Sequence, residues 1–293
     1  MSFDNSVLMS LRAKIALLPD CHIRPSKRET SIPAFPTKRL YGFARMLLET
    51  YLRRLGNEVD AIFLLGDTLD PATKEGLDWL KEQIRMTPCP VHLLIGNHET
   101  FGEVRDTEFY RAFDLPSQGN YMVRVKDVPF LMLATPSQGS LWPNSIGFQW
   151  LVNKLKSLDQ EDVFCCAHYS LLLHPCVQGH LNDGMQVLHA GDKVLELLRQ
   201  YPNARGWLAG HKNIPSKVVK NGMLHLLSPQ LIQAPCGYRI LEIHDDKVVS
   251  TTHDIIETQV SDLSREAFGK EYKARYGKPE DRDFTWEYPS LQA

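Results

Sequence analysis

Five apolar runs in this chain each end abruptly in a side chain able to hold a metal ion. Residues 14–18 lead to Asp20 and His22, and residues 61–65 lead to Gly66 and Asp67. Residues 91–95 lead to Gly96, Asn97, His98 and Glu99. Residues 163–167 lead to His168, and residues 207–209 to Gly210 and His211. Such runs read as buried strands, and buried strands in an α/β domain deliver their terminal residues to one shared crevice. Asp, His and Asn converging there have one economical explanation, a site holding more than one metal ion.

The segments between these runs support that class. Residues 36–54 read as a helix, with Pro36 near its start, an apolar face of Leu40, Phe43, Ala44, Leu47 and Leu48, and Gly56 after it. Residues 73–86 read as a second helix striped by Leu77, Leu80 and Ile84. Residues 121–125 and 130–134 read as paired strands, and 149–158 and 192–200 as helices, the latter capped by Asp192. Residues 217–219 and 223–227 flank Asn221 and Gly222, a strong hairpin turn. Residues 238–243 pair with 247–252 through Asp245 and Asp246. The expectation is two sheets that each combine α/β units with antiparallel strands. A main domain over 1–257 is followed by a charged tail, 258–293, helix-prone over 266–276. The sequence does not say whether the tail docks or mediates contacts.

Charge and cysteine usage narrow the function classes. There are 33 Lys and Arg against 35 Asp and Glu, a formal net charge of -2. That balance argues against a duplex nucleic-acid partner, which calls for a basic stripe, but leaves room for small phosphorylated substrates. No run approaches the roughly 20 apolar residues needed to span a bilayer, so no membrane partner is expected. The start carries an early acid and no basic n-region before an apolar stretch, so no signal peptide is expected. The six cysteines show no paired CxxC spacing. They read as reduced core filling in a cytoplasmic protein. Cys21 sits between two ligand candidates and is expected to point away from them.

Asp20-Cys21-His22 fits D-x-H, residues 66–70 fit G-D-x-x-D, and residues 96–99 fit G-N-H-[DE]. His168 and Gly210-His211 complete the order. Each piece alone is weak, but five in this order, each after a strand-like run, are specific. Over residues 14–250 the chain resembles the calcineurin-like metallophosphoesterase superfamily. The resemblance implies a two-sheet αββα sandwich with the active site at one edge. It also implies a dinuclear hydrolase of phosphoesters that works by attack of a metal-bound hydroxide.

Carried over by motif, one ion takes Asp20, His22 and Asp67, and the other takes Asp67, Asn97, His168 and His211. Asp67 bridges. His98 faces the leaving-group oxygen as general acid, with Asp70 orienting it and raising its pKa. Mixed nitrogen and oxygen donors suit two divalent ions such as Mn or Fe, with Zn, Ni or Co possible, more than Ca. One position departs: the family ends in G-H-x-H, whereas this segment reads Gly210-His211-Lys212-Asn213. Asn213 offers a neutral amide oxygen, a weaker ligand than imidazole, so looser binding of the first ion is expected.

Other features carry bland readings. His92, His225, His244 and His253 read as structural or exposed. His174, His180 and His189 lie in a stretch that borders the pocket in the resembled family. Arg24 to Arg28 reads as a solvated basic loop or as a phosphate-steering one. Tyr169 and Trp142 read as lid packing or as stacking surfaces. The expected activity is phosphodiester hydrolysis on a small soluble substrate, because Thr100-Phe101-Gly102 follow the 96–99 motif where phosphoprotein phosphatases of the resembled superfamily carry an arginine that grips a dianionic phosphoryl group. The alternatives are a phosphomonoesterase and a non-catalytic metal-binding scaffold. Oligomeric state and substrate identity are not written in the sequence.

Overall fold

The computed structural model describes residues 10–25, 32–135, 141–177 and 187–289. In the first sheet β1 (Leu11–Leu17), β2 (Ala61–Leu65) and β3 (Val91–Leu94) run parallel. Their crossovers are α1 (Ala44–Leu55) and α2 (Lys74–Met86). After α3 (Asp106–Ala112) the chain enters a second sheet with antiparallel β4 (Tyr121–Val125) and β5 (Val128–Leu133). That sheet continues through α4 (Ile146–Ser157), β6 (Val163–Ala167), α5 (Gly191–Leu198) and β7 (Ala204–Ala209), then β8 (Ser216–Lys220) and β9 (Met223–Leu227). β5, β6, β7 and β9 are parallel, and β8 pairs antiparallel at the edge. Asn221 (φ 54°) and Gly222 (φ 72°) make the two-residue turn the sequence predicts.

The chain then returns to the first sheet. β10 (Gly237–His244) lies antiparallel to β1, followed by β11 (Lys247–Asp254) and the edge strand β12 (Phe284–Glu287). The strand orders are β12-β11-β10-β1-β2-β3 and β4-β5-β6-β7-β9-β8. Strand alternation builds three apolar layers. Ile15, Leu17, Phe63 and Leu65 face Phe130, Met132, Phe164 and Leu208 between the sheets. Ala16, Ile62 and Leu64 turn outward onto Leu47, Leu48, Leu77 and Leu80 of α1 and α2. Leu131, Leu133, Cys165 and Trp207 turn outward onto Leu151, Leu155, Val194 and Leu198 of α4 and α5. Strands covered on both faces have no reason to carry polar alternation, which explains the uninterrupted apolar runs. The result is the αββα sandwich expected from the motifs.

Local boundaries differ in four places, one being α4, which begins at Ile146 behind the Ser145 cap instead of at residue 149. The first helix begins at Ala44, after a single 3-10 turn (Tyr41–Phe43), instead of at residue 36. Tertiary hydrogen bonds hold residues 34–40 in another path: the Ala34 N–H donates to the Arg39 carbonyl (2.9 Å) and the Leu40 N–H to the Ile232 carbonyl (2.9 Å). α5 is capped by Ala190 in the left-handed region (φ 58°), and Asp192 lies inside its first turn. The tail helix starts earlier than expected, as α6 (Thr258–Phe268), and breaks at Gly269 before α7 (Tyr272–Tyr276) and α8 (Pro279–Arg282).

The tail docks. Val260 and Phe268 are buried, and Val260 joins the core outside the first sheet. Arg239 is fully buried and donates to the carbonyls of Leu227 (3.3 Å), Asp281 (3.0 Å) and Arg282 (3.2 Å). No helix among the described residues is long and apolar enough to cross a membrane.

Candidate metal centre

All five apolar runs end at one edge of the sandwich, because the strands that carry them are parallel within each sheet. The ladder continues past β1: the Asp20 N–H donates to the Gly66 carbonyl (2.9 Å) and the His22 N–H to the Asp67 carbonyl (2.8 Å). Asp20 (φ 56°), His22 (φ 48°), Asp67 (φ 53°), His211 (φ 66°) and Asn213 (φ 61°) all adopt left-handed backbone. Each such non-glycine residue costs about 1–3 kcal/mol, tolerated where the surroundings over-determine it. Gly66 shows why the motif needs glycine: at φ +88° a Cβ there would lie 2.6 Å from His168 Nδ1.

Asp20, His22, Asp67, Asn97, His98, His168 and His211 meet, while Asn213, among the described residues, donates only to the His211 carbonyl, through its Nδ2 (3.3 Å). Asp67 Oδ2 lies 3.4 Å from His168 Nε2, 3.8 Å from His22 Nε2 and 3.9 Å from His98 Nε2. His22 Nε2 is 3.7 Å from Asp20 Oδ1. His168 Nε2 is 3.2 Å from Asn97 Oδ1 and 3.1 Å from His211 Nδ1. Donor atoms of Asp67, His168 and His211 gather within 4.8 Å of one another, as do those of Asp67, His22 and His98. Asp20 Oδ1, His22 Nε2 and Asn213 Oδ1 are buried with no hydrogen-bond partner. Two ligands bound to one ion at about 2.0–2.2 Å sit about 3–4 Å apart, which these spacings match. The donor set therefore fits divalent cations.

The electrostatics agree. Burial alone raises the Asp67 carboxyl, but the charge and hydrogen bond of His168, with His22 and His98, hold it well below the ordinary carboxylate value. Burial pulls His168 down, yet Asp67 and Asp20 drive it up to about 9. For His98, burial and the charge of Arg39 oppose protonation. The hydrogen bond to Asp70 and the charges of Asp67 and Asp70 outweigh them, so its pKa rises. This crevice attracts positive charge.

Three roles escaped the sequence. Glu99 is buried and accepts the backbone N–H groups of Asp67 (3.0 Å), Leu69 (2.9 Å) and Gly96 (2.8 Å), tying two motif loops together. Asp70 touches two rings, His98 Nδ1 at 2.9 Å and His22 Nδ1 at 3.2 Å, where the sequence suggested only the first. Tyr169 donates its hydroxyl to Asn97 Oδ1 (3.1 Å). The only sequence signal for these was adjacency to a ligand motif. Asp20 also accepts the His211 N–H through Oδ2 (2.7 Å), linking the two sheets across the site.

The remaining candidates sort themselves. Cys21 is buried with its Sγ toward the Leu18 carbonyl (3.7 Å), and burial pushes its thiol pKa up. His92 packs edge-on to Phe63, and His253 stacks on Tyr238. His174 is fully buried against Ser216 Oγ (3.0 Å), so it does not line the crevice. Trp142 is exposed, while His180 and part of the loop before Trp142 lie outside the described residues.

The sequence matches the family model for calcineurin-like phosphoesterases over residues 13–215. Comparison with curated proteins gave no match. Among solved structures, a dimetal phosphatase from Danio rerio aligns with TM-score 0.66 and 16% identity, covering 96% of this chain and 100% of that one. Purple acid phosphatase PPD1 from yellow lupin aligns with TM-score 0.57 and 14% identity, covering 86% of this chain and 53% of that one. GAP50, the anchor in the inner membrane complex of Plasmodium, aligns with TM-score 0.52 and 12% identity, covering 92% and 97%. At such identities the likeness is one of fold. The family match spans both sheets and all five strand-end motifs, and on that ground the chain belongs to the calcineurin-like phosphoesterase family.

Proposed function

We propose that this protein is a dinuclear phosphodiesterase acting on a small soluble phosphoester, with two divalent ions, Mn or Fe by preference. The observation that carries the reading is that Asp20 Oδ1 and His22 Nε2 are buried without a hydrogen-bond partner in the cluster around Asp67. Lone pairs left without a proton donor in a dry crevice are costly unless a cation takes them. Asp20, His22 and Asn213 would hold one ion, and Asn97, His168 and His211 the other, with Asp67 shared. Such ions supply charge that neutralises the phosphate and lowers the pKa of a water molecule.

The chain's own residues do the rest. Asp70 Oδ1 lies 2.9 Å from His98 Nδ1, an ion-pair contact that leaves Nε2 toward the crevice. Against the pull of burial, the charges of Asp67 and Asp70 favour the protonated form of that ring. His98 Nε2 then gives its proton to the leaving oxygen as the ester bond breaks. Asp70 also holds His22, so one carboxylate orients both a ligand and the proton donor. A non-catalytic metal-binding scaffold would need the contact to His22 but has no use for the one to His98.

The test is turnover of bis-p-nitrophenyl phosphate by purified protein loaded with Mn, with metal content read by elemental analysis. Two ions per chain and turnover are expected. Absence of turnover with every one of Mn, Fe, Ni and Zn would overturn the enzyme reading.

A further inference from the structure

A cavity of about 380 Å³ opens beside His98, and no metal-ligand candidate lines it. Phe101 forms one side and packs edge-on against the His98 ring, with centres 5.4 Å apart. Pro71 and Pro25 line it too. Pro71 directly follows Asp70, and Pro25 follows Arg24, whose Nη2 lies 3.8 Å from Asp70 Oδ2. Ring contact and chain connection thus attach the cavity to the His98–Asp70 pair.

Its walls are fixed by the fold. Phe101 ends the single 3-10 turn Glu99–Phe101, which begins at the buried Glu99 brace. Gly102 approaches residue 72 so closely that a Cβ there would strike the Ala72 carbonyl, which pins the turn against the start of α2. Glu103 Oε1 accepts the Lys74 N–H of that helix (3.3 Å). Arg45 Nη2 donates to both the Arg24 carbonyl (2.9 Å) and Glu75 Oε1 (2.9 Å), joining the Pro25 side to the Glu75 side. Phe101 is nevertheless 69% exposed. A phenyl ring held in place with most of its surface in water is stabilised by any apolar group that covers it.

On the phosphoesterase reading, His98 gives its proton to the leaving oxygen. A group seated in the cavity beside His98 is then the leaving group. Aromatic rings pair best with other rings, offset or edge to face. Glu75 and Glu103 line the cavity, and no lysine or arginine does so among the described residues, so a second negative charge is repelled there. We propose that Phe101 and this cavity form a leaving-group subsite for an alcohol that bears an aromatic ring and no negative charge.

The subsite rests on the phosphoesterase reading, and its test separates the two. Mn-loaded wild type, Phe101→Ala and Phe101→Tyr are compared on three methyl phosphodiesters, whose leaving groups are phenol, hexafluoroisopropanol and 4-hydroxybenzenesulfonate. Comparing each variant with wild type on the same ester cancels differences in intrinsic reactivity. Phe101→Ala is expected to lower kcat/KM on the phenyl ester about tenfold, mainly through KM, as befits loss of a stacking face. The loss on the fluoroalkyl ester is expected to be at least fivefold smaller, and Phe101→Tyr is expected to restore the phenyl preference. Equal losses on both esters overturn the subsite, because a disturbed His98 slows both alike. Wild type is expected to be about tenfold poorer on the sulfonate than on the phenyl ester, with Glu103→Gln narrowing that gap about threefold. No gap, or one that Glu103→Gln leaves unchanged, overturns the charge preference. The hydrolase reading is judged separately, by turnover of bis-p-nitrophenyl phosphate. If wild type turns over none of the three methyl esters, calorimetric binding of phenyl phosphate against methyl phosphate decides the subsite. About tenfold tighter binding of phenyl phosphate, lost in Phe101→Ala, supports it, and equal affinities overturn it.

Discussion

Two groups of buried histidines sit on opposite faces of the second sheet's architecture and behave in opposite ways. At the strand ends His168 lies among carboxylates, which drive its pKa up to about 9 against the pull of burial. On the outer face, near Met223, Leu227 and Trp207, burial, helped by the charge of Arg239, takes His174 down to about 4, and burial, helped by His174 and Lys220, takes His225 down to about 3. His225 leaves both ring nitrogens without partners. The residue type is the same; the neighbours decide whether an imidazole is a ligand or a packed core ring. A crevice that raises histidine pKa values is one that draws in cations, and a dry face that lowers them is not.

The contrast breaks first at Asp67. Asp67→Ala removes the carboxylate shared by both ligand sets, so metal content should fall toward none and turnover should drop by about 10³-fold or more. Retention of two ions would show that the crevice does not depend on its central acid. His98→Gln keeps the ligands but removes the proton donor. Turnover should fall about 10²–10⁴-fold with metal content unchanged, and restored activity on an ester with a very good leaving group would sharpen that assignment.

The outer-face pair is tested by pH and stability. Both histidines have lowered folded pKa values, so the unfolded chain binds protons first as pH falls below about 6.5. Their contribution is intact above that pH and is lost toward pH 4, at about 2 kcal/mol per histidine by pH 5. Urea unfolding of His225→Leu at pH 7.5 and pH 5 should show about 2 kcal/mol less loss of stability on acidification than wild type. Equal sensitivity would mean that His225 is not a neutral core ring. The smallest effect concerns the weak member of the metal crevice. Asn213→His should tighten the looser ion by about tenfold, read by chelator competition, and no change would show that residue 213 stands outside the ligand set.

Much of this was legible before any coordinates. Apolar runs ending in Asp, His and Asn, with glycines directly before Asp67, Asn97 and His211, marked both the strands and the crevice. Helix α2 ran as its stripe implied, with Thr73 capping it by accepting the Gly76 N–H (3.1 Å). The first helix was misread at its start because the Leu40 N–H is taken by the carbonyl of Ile232 in a distant loop, a bond no local pattern records. Glu99 looked like chemistry and proved to be a brace, since its three partners are backbone N–H groups that no side-chain motif displays.

The sequence by itself determined the layers and the inventory of donors, because strand alternation, glycine placement and ligand type are properties of neighbouring residues. Tertiary structure alone decided that the last strands return to β1, that the tail reaches the segment bearing Lys38, and that one carboxylate, Asp70, joins His22 and His98. Those outcomes depend on buried charges and backbone groups finding partners far away along the chain. That matching happens only once the chain has closed on itself.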